Sequence, residues 1–263
     1  MASRMRPVPA AETTARKAAV GPAPSAALPN AAEPAAAATA PRLDPPAATR
    51  QDHIYATLRQ WVTVGRFLPG ERLKIRTVAA QLGVGQMPVR AALQRLAAEG
   101  AVVNVPNAGV AVPRLSVPEF DDLLQMRMLL EGEAAERGAL RLDAEGQARL
   151  QALSQRMGQA LARGDGDDYL AANEDFHVQL YKAAGSPTLF GLIDTLWLKA
   201  GPISNRLFDT PEASAVLNDA HEDLVKALAR GDSAGARRAV EKDIFVAGQF
   251  LRRTLGAPGK ARR

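Results

Sequence analysis

Apolar residues recur at helical spacing through most of this chain, and the places where the spacing breaks mark its architecture. Val78, Ala79 and Leu82 fall at about i, i+1 and i+4 behind Thr77, a residue able to N-cap, and Gly83 supplies permissive backbone to end the run. After the short Gly83-Val84-Gly85 turn, Val89, Leu93 and Leu96 form a second stripe, with Pro88 suited to the first turn of that helix. Its opposite face carries Gln86, Arg90 and Gln94, each four residues from the next and so projecting together, with Met87 beside them. Arg can grip guanine O6 and N7, and Gln can pair with adenine N6 and N7. Beyond Glu99-Gly100 the spacing changes. Val102 to Val105, a Pro106-Asn107-Ala108-Gly109 turn and Val110 to Val112 read as a hairpin. Helix, tight turn, basic helix and Val-rich hairpin in that order describe a winged helix-turn-helix that reads DNA. The plainer reading is a helical hairpin with a solvated polar face, which leaves the basic outer face and the wing without a purpose.

After Ser116, able to cap the next element, the pattern becomes wholly helical. Helices are predicted over 117–141, 144–162 and 168–184, from 187 to a break at Gly201-Pro202, over 213–229 and over 233–255. Six helices in this stretch make an antiparallel bundle. The expected fold is therefore mainly α: an N-terminal winged helix-turn-helix over 49–115 and a C-terminal six-helix bundle over 116–255.

Composition changes this picture at the ends of the chain. Residues 1–48 mix Ala, Pro and Thr with few large apolar side chains, which predicts a disordered arm, either a weak DNA contact or an inert extension. Residues 256–263 form a short basic tail. No apolar run is long enough to span a bilayer, so no membrane partner is expected. The absence of Cys excludes a disulfide framework and suits a cytoplasmic, nucleoid-associated protein.

Charge separates the two folded regions. Residues 49–115 carry nine basic and three acidic side chains, a net +6, whereas residues 116–255 carry sixteen and twenty-two, a net −6. Phosphate binding is then confined to the first region, since the acidic one repels DNA.

Two of the three His lie in the bundle. Asn173 and His177 share one face of the third helix, His221 lies in the fifth and Asp243 in the sixth. A helical core can bring these together as two imidazoles, a carboxylate and an amide oxygen, suited to a divalent Zn, Ni or Mn ion with one position open. Taken singly, each His is more often a hydrogen-bonded core residue.

Residues 65–73 (GRFLPGERL), Leu82-Gly83-Val84 and 88–96 (PVRAALQRL) resemble the N-terminal domain of GntR-family bacterial transcription regulators. The resemblance implies that Arg76 and Arg90 read DNA. It departs where the family has Ser or Thr followed by Arg and this chain has Gly85 and Gln86. It departs again where Ala108, not a basic residue, precedes the wing's Gly109, which can still approach the DNA backbone closely.

The bundle resembles the FadR C-terminal (FCD) effector domain, in its shorter six-helix, VanR-like branch. The resemblance rests on 173–177 (NEDFH), Gly185-Ser186-Pro187, 220–223 (AHED) and 231–236 (GDSAGA). It implies a metal held by Asn173, His177, His221 and Asp243, with Asn173 replacing the usual Asp and Asp243 replacing a third His. It also makes Arg127 an inward clamp for an effector carboxylate, with Arg206 a second candidate; an ordinary i,i+4 pair of Arg127 with Glu131 is the simpler alternative.

Together these readings predict a regulator, with no catalytic residues, that works as a homodimer on double-stranded operator DNA and answers to a small carboxylate effector. A metal-dependent enzyme or a direct metal sensor built on the same His/Asp cluster is the alternative.

Overall fold

A computed structural model describes residues 50–106, 109–209 and 217–255. The expected arm, the basic tail and the wing position Ala108 lie outside the described residues.

Helix α1 (Arg50–Thr63) buries Ile54, Leu58 and Val62 along one face. Helix α2 (Ile75–Leu82) begins two residues before the predicted cap at Thr77, and its N-cap Lys74 makes no side-chain cap bond. Half-buried Ile75 packs on the domain core, so burial rather than capping sets this start. Gly83 ends α2 in the left-handed region at φ 63°, where its N–H reaches the carbonyls of Ala79 and Ala80. Helix α3 (Gln86–Ala98) then crosses α2, burying Val89, Ala92, Leu93 and Leu96.

The predicted hairpin is present as β2 (Val103–Val105) and β3 (Gly109–Ala111), with Val103 opposite Ala111 and Val105 opposite Gly109. A third strand, β1 (Arg72–Leu73), adds to the other edge of β3 to give the antiparallel order β1-β3-β2.

The bundle comprises α4 (Val117–Ala139), α5 (Ala144–Arg163), α6 (Gly166–Ala183), α7 (Pro187–Ser204), α8 (Asp219–Ala229) and α9 (Ser233–Thr254), with a 3-10 turn Asn205–Asp209 after α7. Ser116 opens α4 with a reciprocal capping box to Glu119. The predicted break at Gly201-Pro202 is not there: α7 runs through both to Ser204. Ala200, Gly201, Pro202 and Ile203 are all buried, and packing on both sides overrides the low helix propensity of Gly and Pro. The start predicted at 213 for the fifth bundle helix lies in 210–216, outside the described residues.

Two hydrophobic cores form, one within the winged region and one within the bundle. They meet at a seam where α1 lies on α7. Leu198 of α7 belongs to the core of the winged region. Gly201 faces the last turn of α1 so closely that a Cβ there would lie 2.5 Å from the Thr63 carbonyl oxygen and 2.7 Å from Thr63 Cα. Arg59 of α1 donates to Asp194 Oδ2 at 2.5 Å across the same seam.

Candidate functional site

The bundle core gathers the predicted metal ligands His177, His221 and Asp243. His177 on α6, His221 on α8 and Asp243 on α9 each offer a ligand atom, all within 4.8 Å of one another. His177 Nε2 lies 3.1 Å from His221 Nε2 and 3.4 Å from Asp243 Oδ2. Both imidazoles are buried, at 3% and 1% exposure, so neither can turn to water instead.

Hydrogen bonding fixes which nitrogen of each ring is bare. His221 Nδ1 lies 3.2 Å from the Leu217 carbonyl, which only accepts, so Nδ1 carries the proton. Tyr181 spends its hydroxyl proton on Glu131 Oε2 at 2.9 Å and therefore accepts from His177 Nδ1 at 3.0 Å. Each Nε2 of a neutral ring then presents a lone pair to the other. Facing lone pairs repel unless a cation stands between them. Two nitrogens held at about 2.0–2.1 Å by one tetrahedral ion lie about 3.3–3.4 Å apart, close to the distance found. The donor set thus fits a divalent ion of the Zn class.

Electrostatics favour the ligand forms. Burial, opposed only in part by Asp243, pushes the His221 pKa down to about 4, keeping that ring neutral at physiological pH. Burial alone would raise the Asp243 pKa, but His221, His177 and Arg127 outweigh it and hold the carboxyl below its usual range.

Asn173 sits one turn before His177 but half-buried on the wall of a small cavity of about 50 Å³, shared with Arg127, Trp197 and the end of α1. Asp243 instead lines a larger, mostly apolar cavity of about 310 Å³ with Leu217, Val246 and Phe250.

Arg127 does pair with Glu131, Nε to Oε1 at 2.7 Å, and Glu131 is only 1% exposed. Because Glu131 also accepts from Tyr181, a continuous chain runs Arg127–Glu131–Tyr181–His177. The clamp and the i,i+4 pair are thus not exclusive: the pair orients the guanidinium. Arg206 is buried and donates to the Thr254 carbonyl at 2.7 Å, closing the C-terminal end of α9, and does not line the Arg127 cavity. Tyr181 and Trp197 are absent from the sequence-derived site. Tyr181, four residues after His177 on the same helix face, carried a usable signal; Trp197 carried none.

The DNA-reading candidates occupy a separate surface. Arg76, Gln86, Met87, Arg90 and Gln94 are all exposed, Met87 at 71%. Arg76 lies in the first turn of α2, and Gln86 opens α3 directly after the extended Gly85. Gly109, at φ 82°, begins β3 at the wing turn. Exposed Arg72 and Lys74 flank this surface and extend its positive charge.

Comparison with known proteins agrees with both halves. The model for bacterial regulatory proteins of the gntR family matches residues 50–112, and the FCD domain model matches 122–244. The HTH-type transcriptional regulator McbR of Escherichia coli (strain K12) is 27% identical over 203 residues, 74% of this chain and 92% of that protein. BphR of Paraburkholderia xenovorans (strain LB400), an uncharacterized HTH-type transcriptional regulator, is 30% identical over 78% of this chain and 89% of its own length. A probable D-xylose utilization operon transcriptional repressor of Paenarthrobacter nicotinovorans is 27% identical over 70% of this chain and 80% of its own. Among solved structures, E. coli McbR/YncC superimposes with a TM-score of 0.73 at 26% identity, covering 78% of this chain and 97% of that one.

Proposed function

Since this chain belongs to the GntR family of bacterial regulatory proteins and carries an FCD domain, we propose that it is a repressor whose hold on operator DNA is set by a small carboxylate metabolite bound in its helical bundle. It is a transcription regulator and not an enzyme. Residues 49–115 are the reader and residues 116–255 the sensor and dimerisation unit, acting in the cytoplasm; among the described residues no helix is long and apolar enough to cross a membrane. The repressor sign rests on relatives that carry that description.

The observation that carries the sensing half is the buried chain from Arg127 through Glu131 and Tyr181 to His177, His221 and Asp243. A divalent ion held by His177, His221 and Asp243, with Asn173 at the margin, would supply a Lewis-acidic anchor for a carboxylate oxygen. The protein's own part is to orient. Tyr181 fixes the His177 tautomer, the Leu217 carbonyl fixes that of His221, and Glu131 aims the Arg127 fork.

On the reader, Arg90 and Arg76 offer guanine contacts, Gln86 and Gln94 adenine contacts, and Met87 an apolar contact to a thymine methyl, while Gly109 lets the wing approach the backbone. A homodimer sets two α3 helices about one helical turn apart on a near-palindromic site. A ligand changes DNA affinity only by binding two placements of the readers unequally.

Selection of bound duplexes from a random DNA pool, followed by release assays with small carboxylates, tests this. A recovered palindrome whose affinity falls with one carboxylate is the expected result. Failure to enrich any sequence, or affinity indifferent to every carboxylate, overturns it. Elemental analysis of purified protein and of a His177→Ala/His221→Ala variant tests the ion: equal metal content in both removes the metal from the account.

A further inference from the structure

We propose that the Arg59–Asp194 pair ties the reader to the bundle at one angle and thereby selects the spacing between the two half-sites of the operator. The consequence for DNA rests on the reading of the chain as a dimer on a near-palindromic site; the tie itself does not.

Three residues on one face of α7 meet the reader. Asp194, Leu198 and Gly201 fall at i, i+4 and i+7, a stripe about 10 Å long. Leu198 is a plug, 2% exposed and packed in the core of the winged region. Gly201 sets closeness, since a Cβ there would run into the Val62 and Thr63 carbonyls. Neither contact dictates an angle: apolar burial is non-directional, and a close approach limits distance rather than rotation. Asp194 supplies the direction. Its Oδ2 accepts from a terminal nitrogen of Arg59 at 2.5 Å, and its backbone carbonyl accepts from the same nitrogen at 3.4 Å.

On the reader side the tie continues past α1. Arg59 Nε stands 3.9 Å from Glu99 Oε2, and Glu99 is the C-cap of α3. That carboxylate takes the Tyr55 hydroxyl proton, with its two oxygens 2.6 and 2.7 Å away, and Arg95 Nε lies 3.5 Å from Oε1. The Arg95 guanidinium in turn lies over the Tyr55 ring, 3.6 Å from its centroid. Helix α1 and the C-terminal end of α3 are therefore cross-braced, and the face bearing Arg90 and Gln94 turns with α1 as one body. A hold on Arg59 is a hold on the reading helix.

Little folding stability is at stake, because the Arg59 and Asp194 side chains are 23% and 37% exposed and such pairs add little. What the pair sets is orientation. In a homodimer the angle of each reader fixes the separation of the two α3 helices. One added base pair turns the second half-site about 35° around the duplex and moves it about 3.4 Å, which tied readers cannot follow.

The test compares affinity for operator duplexes with the half-sites at the selected spacing and with the spacing widened by one base pair. The ratio of the two affinities cancels the overall charge of each variant, which Asp194→Asn and Arg59→Gln change in opposite senses. Both variants should lower the wild-type preference for the selected spacing at least about threefold, because two readers each lose a tie worth up to a factor of about five. Their urea midpoints should stay close to wild type. The double variant should go no further than either single one, as expected of two partners in one contact. An unchanged spacing preference, additive losses, or a wild type indifferent to spacing overturns the assignment. A second measurement needs no DNA. The chain has no Cys, so Val103→Cys on the wing and Leu140→Cys at the end of α4, both exposed, accept one spin label each. With labelled protein diluted in unlabelled chain, one narrow distance is expected with the pair intact and a broadened distribution in both variants; equally narrow distributions overturn the tie. Failure of the wider reading appears separately, as no enriched palindrome while the distance distributions still broaden.

Discussion

The buried centre of the bundle and the exposed face of α3 are opposite solutions to presenting polar side chains. In the centre, Tyr181 bridges Glu131 and His177 and the Leu217 carbonyl holds His221, so both rings are oriented by buried hydrogen bonds. On α3, Gln86, Arg90 and Gln94 project into solvent. Substitutions in the first region should therefore register as stability and those in the second as affinity.

The largest expected effect is at Glu131. Glu131→Ala strands Arg127 in a buried setting and removes the acceptor of Tyr181, costing about 3–5 kcal/mol in urea unfolding. A cost below about 1 kcal/mol would break the contrast at its strongest point.

Next comes acid. In metal-free protein the His221 pKa is near 4 when folded and near 6.5 in its ordinary state, so the unfolded chain takes up the proton first. The stabilisation is present above about pH 6.5 and is lost as pH falls towards 4, on the order of 3 kcal/mol in all. Denaturant midpoints measured across that window check it, and His221→Gln should flatten the slope.

Tyr181→Phe leaves the His177 N–H and one Glu131 oxygen unsatisfied for about 1–3 kcal/mol of stability. Operator affinity in the absence of effector should stay close to wild type.

Arg90→Ala is the mirror image. It should cost about 1–3 kcal/mol at the selected operator and relax discrimination at one base pair, while unfolding stays within about 0.5 kcal/mol of wild type. A destabilised Arg90→Ala protein would blur the comparison; an unchanged base preference would end its role as a reader.

Much of this was legible in the chain. The stripe Val89, Leu93, Leu96 and the glycine at 83 located α3 and its turn, because period and permissive backbone are local properties. Likewise His177, His221 and Asp243 were singled out by their ligand chemistry and by the resemblance to the FCD domain, and the structure brings them together. What escaped depends on contacts distant in sequence. Strand β1 is two residues long and has no alternation to detect; it exists because β3 offers an edge. The passage of α7 through Pro202 depends on burial from two sides. Trp197 joined the site because α7 carries it against His177, with ring centroids 6.1 Å apart, a fact no spacing encodes.

Leu198 bears on how such regulators change their targets. A side chain rooted in the bundle completes the interior of the winged region. A graft of the first 115 residues onto a foreign partner would leave a hole the size of a leucine unless the recipient happened to fill it. New operator specificity is then easier to acquire by editing the outer face of α3 than by trading whole readers, and lineages built on this seam should diversify by point change rather than by shuffling.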